Sequence, residues 1–333
     1  MKTYTLSDPP LQVFGAPLFE SEGSLARLPD DLIAQLPLLT HYGRRCPGGR
    51  VAFKTDSPTF TVKVALKTLS VDIGMSVYAC QSAQVMLGER ATARHLGVVN
   101  PPDYRTKIFE KSFKKSPVME QITVYFPRNE IIDFIEISVT DDANVAPPTP
   151  YAYEKPVIFY GSSITEGGCC CNVTNAYNAM LSRWLDFDYI NLGFSGSAMG
   201  EPVMADYIAA MDMSAFVFDY DHNAPSINHL AATHKPFFDR IRAAHPNLPI
   251  LMMTRPAEVY TSDYKARREV VRATYEAAIA AGDNNVYFID GETFYGDTDR
   301  NLCASDDCHP NDLGFYRMAS VIRPVLEKML KSV

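Results

Sequence analysis

From Arg50 to Val139 the apolar positions alternate with polar ones or gather in short β-branched and aromatic runs. Val51-Ala-Phe-Lys54, Phe60–Leu66 and Gln121–Phe126 are the clearest of these. A period of two over four to eight residues predicts half-buried strands. Gly48-Gly49, Asp56-Ser57-Pro58, Pro101-Pro102 and Pro127 punctuate the runs, and no stretch between them sustains a helical period. Many short strands with turn signals and no intervening helices predict an all-β sandwich. Ala146-Pro-Pro-Thr-Pro150 then places three prolines in five residues. Proline removes donors and stiffens the chain, so this segment reads as a linker. Beyond it the pattern changes to short, uninterrupted apolar runs at 156–160, 189–192, 215–219, 250–253 and 286–289. Such runs suit parallel strands covered on both faces. Amphipathic segments lie between and after them, at about 176–185, 202–211, 229–244, 264–281 and 313–331. Five βα units predict a parallel sheet with right-handed crossovers, whose sites form at the carboxyl ends of the strands. The expected organisation is a β-sandwich accessory domain over 1–150, linker included, and an α/β domain over 151–333.

Composition narrows the class. The chain has 333 residues, 47% hydrophobic and 21% charged, enough apolar surface to offset chain entropy. No run approaches the ~20 apolar residues of a membrane helix. Residues 1–150 carry 16 basic and 16 acidic side chains, whereas residues 151–333 carry 15 and 23. An acidic α/β half repels nucleic acid, which is therefore not an expected partner. Asp8, Pro9, Pro10 and Glu20 near the start do not fit a secretory leader. A cytoplasmic protein and a processed exported one both remain open, as does the oligomeric state. Seven cysteines in a chain of this size do not form a disulfide scaffold.

The segment after each strand carries the candidate chemistry. The first strand turns through Gly161-Ser-Ser-Ile-Thr165, the second through Gly193-Phe-Ser-Gly196, and the third through Tyr220-Asp-His-Asn223. Asp306-Asp-Cys-His309 comes near the chain end. Together they offer a serine, glycine amides, an asparagine and an Asp/His pair, the set needed for acyl transfer through serine. His309 could take the proton of Ser163, and Asp306, three residues earlier, could fix the ring tautomer. The Ser163 N–H at a helix start, the Gly196 N–H and the Asn223 side-chain amide could bind an oxyanion.

These blocks resemble those of the SGNH, or GDSL-type, serine hydrolases, over about residues 155–330. The whole chain is similar to the two-domain bacterial type with an N-terminal jelly-roll-like β domain. The resemblance implies a three-layer, flavodoxin-like α/β fold. It implies Ser163, His309 and Asp306 as catalytic residues and Ser163, Gly196 and Asn223 as the oxyanion hole, with no metal or organic cofactor. Two departures stand out: Ser162 occupies the position before the serine where the family has Asp, and His222 precedes Asn223 where a small residue is common. The activity implied is hydrolysis of short-chain, in particular acetyl, esters on carbohydrate. An acyltransferase with the same residues, or a catalytically silent carbohydrate-binding protein, are the alternatives.

Taken singly, each block has a plainer reading. Ser163-Ile-Thr-Glu166 fits a capping box. Gly196 and Asn223 are ordinary turn residues, and Asn311 or Asp312 would cap the last helix. Cys169-Cys-Cys171 lacks the paired spacing of zinc sites and reads as small buried thiols. The basic run Arg105–Lys115 reads as a solvated β surface.

Overall fold

The computed structural model describes residues 1–72 and 74–332. The first half pairs two antiparallel sheets. One contains β1 (Lys2–Thr5), β9 (Ile132–Val139), β4 (Thr59–Leu66) and β7 (Ile108–Lys114), in that order. The other runs β10 (Val145–Ala146), β3 (Arg50–Thr55), β8 (Glu120–Tyr125), β5 (Ala83–Leu87) and β6 (Arg94–Val99), and β2 (Gln12–Phe14) pairs with β3. The alternation in the sequence has its expected cause. Phe60, Val62 and Val64 of β4 and Val51 and Phe53 of β3 point into one core between the sheets. In β7, Phe109 and Phe113 are buried while Ile108, Glu110, Lys111 and Ser112 face solvent, so the basic run is indeed a wetted sheet face. Two residues of the proline-rich stretch are not free chain: Ala146 pairs with Lys54, and Thr149 donates its N–H to Gln121 Oε1 at 2.9 Å.

The second half forms a five-stranded parallel sheet of β11 (Val157–Gly161), β12 (Tyr189–Gly193), β13 (Ala215–Asp219), β14 (Ile250–Met253) and β15 (Val286–Ile289). Its order is β12-β11-β13-β14-β15. Alternate residues of each strand feed two layers. Val157 and Phe159 face a core shared with α5 (Tyr177–Leu185) and α9 (Asp312–Leu330). Ile158 and Tyr160 face the other side, under α6 (Pro202–Ala209), α7 (Ile227–Ala244) and α8 (Ser262–Ala280). The order reverses at β11, so the carboxyl ends of β11, β12 and β13 surround the switch point where ligands bind in such sheets.

Three short helices precede these: α1 (Phe19–Glu22), α2 (Asp30–Gln35) and α3 (Val77–Cys80). Helix α2 was not legible in the sequence. Its Leu32 and Ile33, with Leu28, Leu36 and Leu39, pack into the α6–α8 layer beneath the parallel sheet, not into the sandwich. Residues 27–45 thus belong by contact to the α/β half although they precede the sandwich strands in sequence.

Candidate active site

The parallel register sets the site. Gly161 at the end of β11 lies opposite Gly193 of β12 and Asp219 of β13. The turn after each strand therefore leaves the sheet at one level. Hydrogen bonds join the turns: Phe194 donates its N–H to Gly161 O at 2.8 Å, and Asn223 Nδ2 donates to Phe194 O at 2.9 Å.

The nucleophile turn is crowded into place. A Cβ at Gly161 would overlap Asp219 Oδ1 and Thr165 Oγ1, and one at Gly193 would overlap the Glu166 backbone. Both positions require glycine for want of space. The one-turn helix α4 (Ser163–Glu166) starts at once. Its cap is Ser162, whose Oγ accepts the Ile164 N–H at 3.1 Å. The capping reading of Ser163 is thereby displaced by one residue, and the Ser163 hydroxyl is left for another partner. Asp219, at the end of β13, accepts from Thr165 Oγ1 of the same turn. An aspartate from β13 thus supports the turn in which Ser162 stands at the motif's Asp position. Burial pushes the Asp219 carboxyl up to about 7 against the lowering effect of the Thr165 hydroxyl.

The partner of Ser163 Oγ is His309 Nε2, at 2.9 Å, and His309 Nδ1 lies 2.9 Å from Asp306 Oδ2. A short closed loop presents these two residues. Ala304 bridges Pro310, and Ser305 donates its N–H to His309 O at 2.8 Å. Asp306 Oδ1 accepts the N–H groups of Cys308 and His309 at 2.7 and 2.6 Å. Asn311 then caps α9 through Gly314. Burial alone would raise the Asp306 carboxyl. The hydrogen bonds from the His309 N–H, the His309 ring and the Cys308 N–H outweigh it and hold Asp306 below the ordinary carboxylate range. As an ionised acceptor it fixes the His309 proton on Nδ1, which leaves Nε2 as the acceptor facing Ser163.

Gly196 and Asn223 border the same turn. Gly196 has φ +63°, and a Cβ there would meet nothing within 4 Å. Its glycine is thus demanded by the left-handed backbone, not by the crowding that closeness of approach would suggest. Among the described residues the N–H groups of Ser163 and Gly196 make no hydrogen bond within the chain. One amide hydrogen of Asn223 is used by Phe194 O and the other is free for a ligand. The structure brings Ser163, His309 and Asp306 into direct contact, and ties Asn223 and the Gly196 turn to the end of β11.

Sequence reasoning missed the groups that hold the second block. Arg27 is fully buried and donates to Asn191 O at 2.8 Å, Gly193 O at 2.6 Å, Tyr42 O at 2.7 Å and Arg45 O at 3.0 Å. Its guanidinium lies 3.7 Å from Glu166 Oε1 and stacks over Phe194. Burial lowers its pKa to about 10, so it stays charged. Glu166, read as part of a capping box, instead accepts from the Ser195 N–H and hydroxyl. Arg128, also fully buried, reaches from the sandwich to donate to Gly167 O. The neighbouring Gly168 donates its N–H to Ser163 O at 2.7 Å. No period or motif marks Arg27 or Arg128 in the sequence.

Of the cysteine triplet, Cys169 and Cys170 are buried as expected but Cys171 is exposed. Cys169, Asp306 and His309 present ligand atoms within 4.8 Å of one another. Both ring nitrogens of His309 are, however, already engaged by Ser163 and Asp306.

Residues 154–327 match the GDSL-like lipase/acylhydrolase family. The chain belongs to that family and is an SGNH hydrolase. A structure described as a GDSL-like lipase from Bacteroides ovatus is 25% identical, with a TM-score of 0.88 over 99% of this chain and 98% of that one. A salicylyl-acyltransferase from a tetracycline biosynthetic pathway is 19% identical, with a TM-score of 0.80 over 98% and 97%. A family two carbohydrate esterase from Clostridium thermocellum, in complex with cellohexaose, is 15% identical, with a TM-score of 0.63 over 86% and 94%. No curated protein matches the chain in sequence.

Proposed function

We propose that the chain is a serine esterase hydrolysing short-chain acyl esters, acetyl esters of carbohydrate in particular, through an acyl-enzyme on Ser163. The observation that carries this reading is the unbroken relay from Ser163 Oγ through His309 to Asp306, with 2.9 Å at each link. As Ser163 Oγ attacks the ester carbonyl, His309 Nε2 takes its proton, and Asp306 stabilises the imidazolium that forms. The tetrahedral oxyanion is received by the Ser163 and Gly196 N–H groups and the free Asn223 amide hydrogen. Collapse expels the alcohol, protonated by His309. Water, deprotonated by the same ring, then releases the acid.

A short acyl group suits the small and polar residues around Ser163: Gly168, Gly196, Asn223 and His309. The carbohydrate leaving group rests on fold-level analogy with the carbohydrate esterase. The domain division is likewise proposed: the catalytic unit comprises residues 151–333 completed by the 27–45 segment, and the sandwich flanks the acceptor side through Arg128.

A panel of esters from acetyl to long chain, on sugar and aryl leaving groups, tests the reading. The expected result is the highest kcat/KM for acetyl esters and none for Ser163→Ala. Preference for long chains would overturn the acyl assignment. A competing sugar alcohol in the same assay separates hydrolysis from acyl transfer by its products.

A further inference from the structure

The carboxylate of Glu166 joins the two turns that carry the backbone donors of the site. Glu166 ends the one-turn helix α4 that Ser163 begins, and the Gly167 N–H after it returns to Ser163 O at 3.1 Å. Its Oε2 accepts the Ser195 N–H at 3.1 Å and the Ser195 hydroxyl. Ser195 directly precedes Gly196. The other oxygen, Oε1, has no hydrogen bond among the described residues and lies 3.7 Å from the Arg27 guanidinium. Both side chains of this pair are buried. Gly196 needs such an anchor. A Cβ there would meet nothing within 4 Å, so packing does not hold its left-handed turn. The turn is held from its flanks instead. On one side stand the Ser195 bonds to Glu166. On the other, the Ser197 N–H donates to Phe194 O at 3.0 Å and the Ser197 hydroxyl to Ser195 O at 3.1 Å. A second tie, from Asn191 Nδ2 to Thr165 O at 2.9 Å, sets the level of β12 against α4 but comes before the turn and leaves its direction free.

We propose that Glu166 is a positioning residue of the oxyanion hole: its carboxylate, held by Arg27, fixes the Gly196 N–H relative to the Ser163 N–H. The inference rests on the esterase reading of the site. Two backbone donors serve one oxyanion only if both point at the place its oxygen takes in the tetrahedral intermediate. These two belong to different turns, and strand pairing between them ends at Gly161 and Gly193. Glu166 spans the gap beyond that point. An ionised acceptor suits the task, because one oxygen can take two donors and each bond is stronger than a neutral one. Glu166 does not touch the reacting atoms; it acts through Ser195. The N-terminal segment thereby enters the catalytic apparatus, since its Arg27 neutralises the carboxylate that joins the turns.

Two conservative changes in the full chain separate reach from charge. Glu166→Asp keeps the charge but shortens the side chain by one methylene, so it no longer spans to Ser195. Glu166→Gln keeps the span and an acceptor oxygen but loses the charge beside Arg27. In aryl acetate hydrolysis Glu166→Asp should lower kcat about 10²-fold with little change in KM. Glu166→Gln should recover kcat to within about tenfold of the wild type although its thermal stability falls. A merely structural role predicts otherwise, with activity following stability. Should Glu166→Asp fail to fold, Ser195→Ala decides, because it removes the hydroxyl bond and leaves the ion pair intact. Its kcat should fall about fivefold at unchanged stability. Hydrogen exchange at the Ser195 amide needs no substrate and tests the link apart from the esterase reading. It should quicken about tenfold in Glu166→Asp and stay slow in Glu166→Gln. A wild type without Ser163-dependent hydrolysis would count against the esterase reading, and the exchange rates would still decide the link. Unchanged kcat in Glu166→Asp or Ser195→Ala, an equal loss in Glu166→Gln, or wild-type exchange in Glu166→Asp would overturn the proposal.

Discussion

Among single residues, adjacent serines divide two tasks that a sequence pattern assigns to one. The pattern Ser/Thr-x-x-Glu fits Ser163 and Glu166, yet the cap is Ser162 and Glu166 is an interior ion. Side-chain direction decided this, and direction is not visible in spacing. The relay residues were legible because their types and order are restrictive; Asp219 was not, because its partner is a threonine hydroxyl brought near only by the fold. Removing His309 should cost kcat about as much as removing Ser163, since the two act as a unit. Asn223→Ala should lower kcat about 10²–10³-fold with a smaller change in KM. An effect confined to KM would make Asn223 a binding residue. Asp219 adds a pH signature. Its folded-state pKa of about 7 is raised above the unfolded value. Its contribution is therefore complete at low pH and lost as pH rises through about 7. Asp219→Asn removes that titration. Urea unfolding should show the wild type losing stability relative to the variant between pH 5 and 7.5. A constant gap would contradict the assignment.

At the level of elements, the parallel strands matched their predicted spans because uninterrupted apolar runs admit little else in an α/β pattern. Predicted strand ends at 160 and 192 extend to Gly161 and Gly193, the glycines that let the turns meet. Helix α2 escaped because six residues hold no measurable period, and its apolar partners lie more than a hundred residues away. Arg27 escaped because burial of a charge contradicts its type; the four carbonyls and Glu166 that permit it are tertiary. Arg27→Met would leave those carbonyls without donors and Glu166 unpaired. Unfolding free energy should fall by about 3–5 kcal/mol. Arg27→Lys should not rescue it, because one ammonium cannot reproduce the guanidinium fork. A shift under about 1 kcal/mol in Arg27→Met, measured by denaturant unfolding, would refute the role given to this residue.

For the molecule as a whole, the proline-rich stretch reads as a short, stiff linker between two domains, and buried contacts join the halves on either side of it. Arg27, Arg50 and Arg128 are all fully buried. Arg50, on β3, pairs with Asp188 at 2.6 Å and with the Tyr151 hydroxyl, while Arg128 holds Gly167 O. The core under α6–α8 is completed by residues 28–39. A fragment of residues 151–333 would expose that apolar face and leave Glu166 uncompensated. It should show no cooperative thermal transition. A folded, active fragment would mean that the first 150 residues are an accessory with no share in the catalytic core.

The central claim is that Ser163 carries the acyl group. The direct measurement is rapid quenching with an activated acetyl ester, followed by mass analysis of the protein and its peptides. Acetyl should appear on the peptide containing Ser163 at up to one equivalent, accumulating in His309→Ala only slowly and in Ser163→Ala not at all. Turnover with no acetylated intermediate, or acetyl found on another residue in the active wild type, would contradict the account.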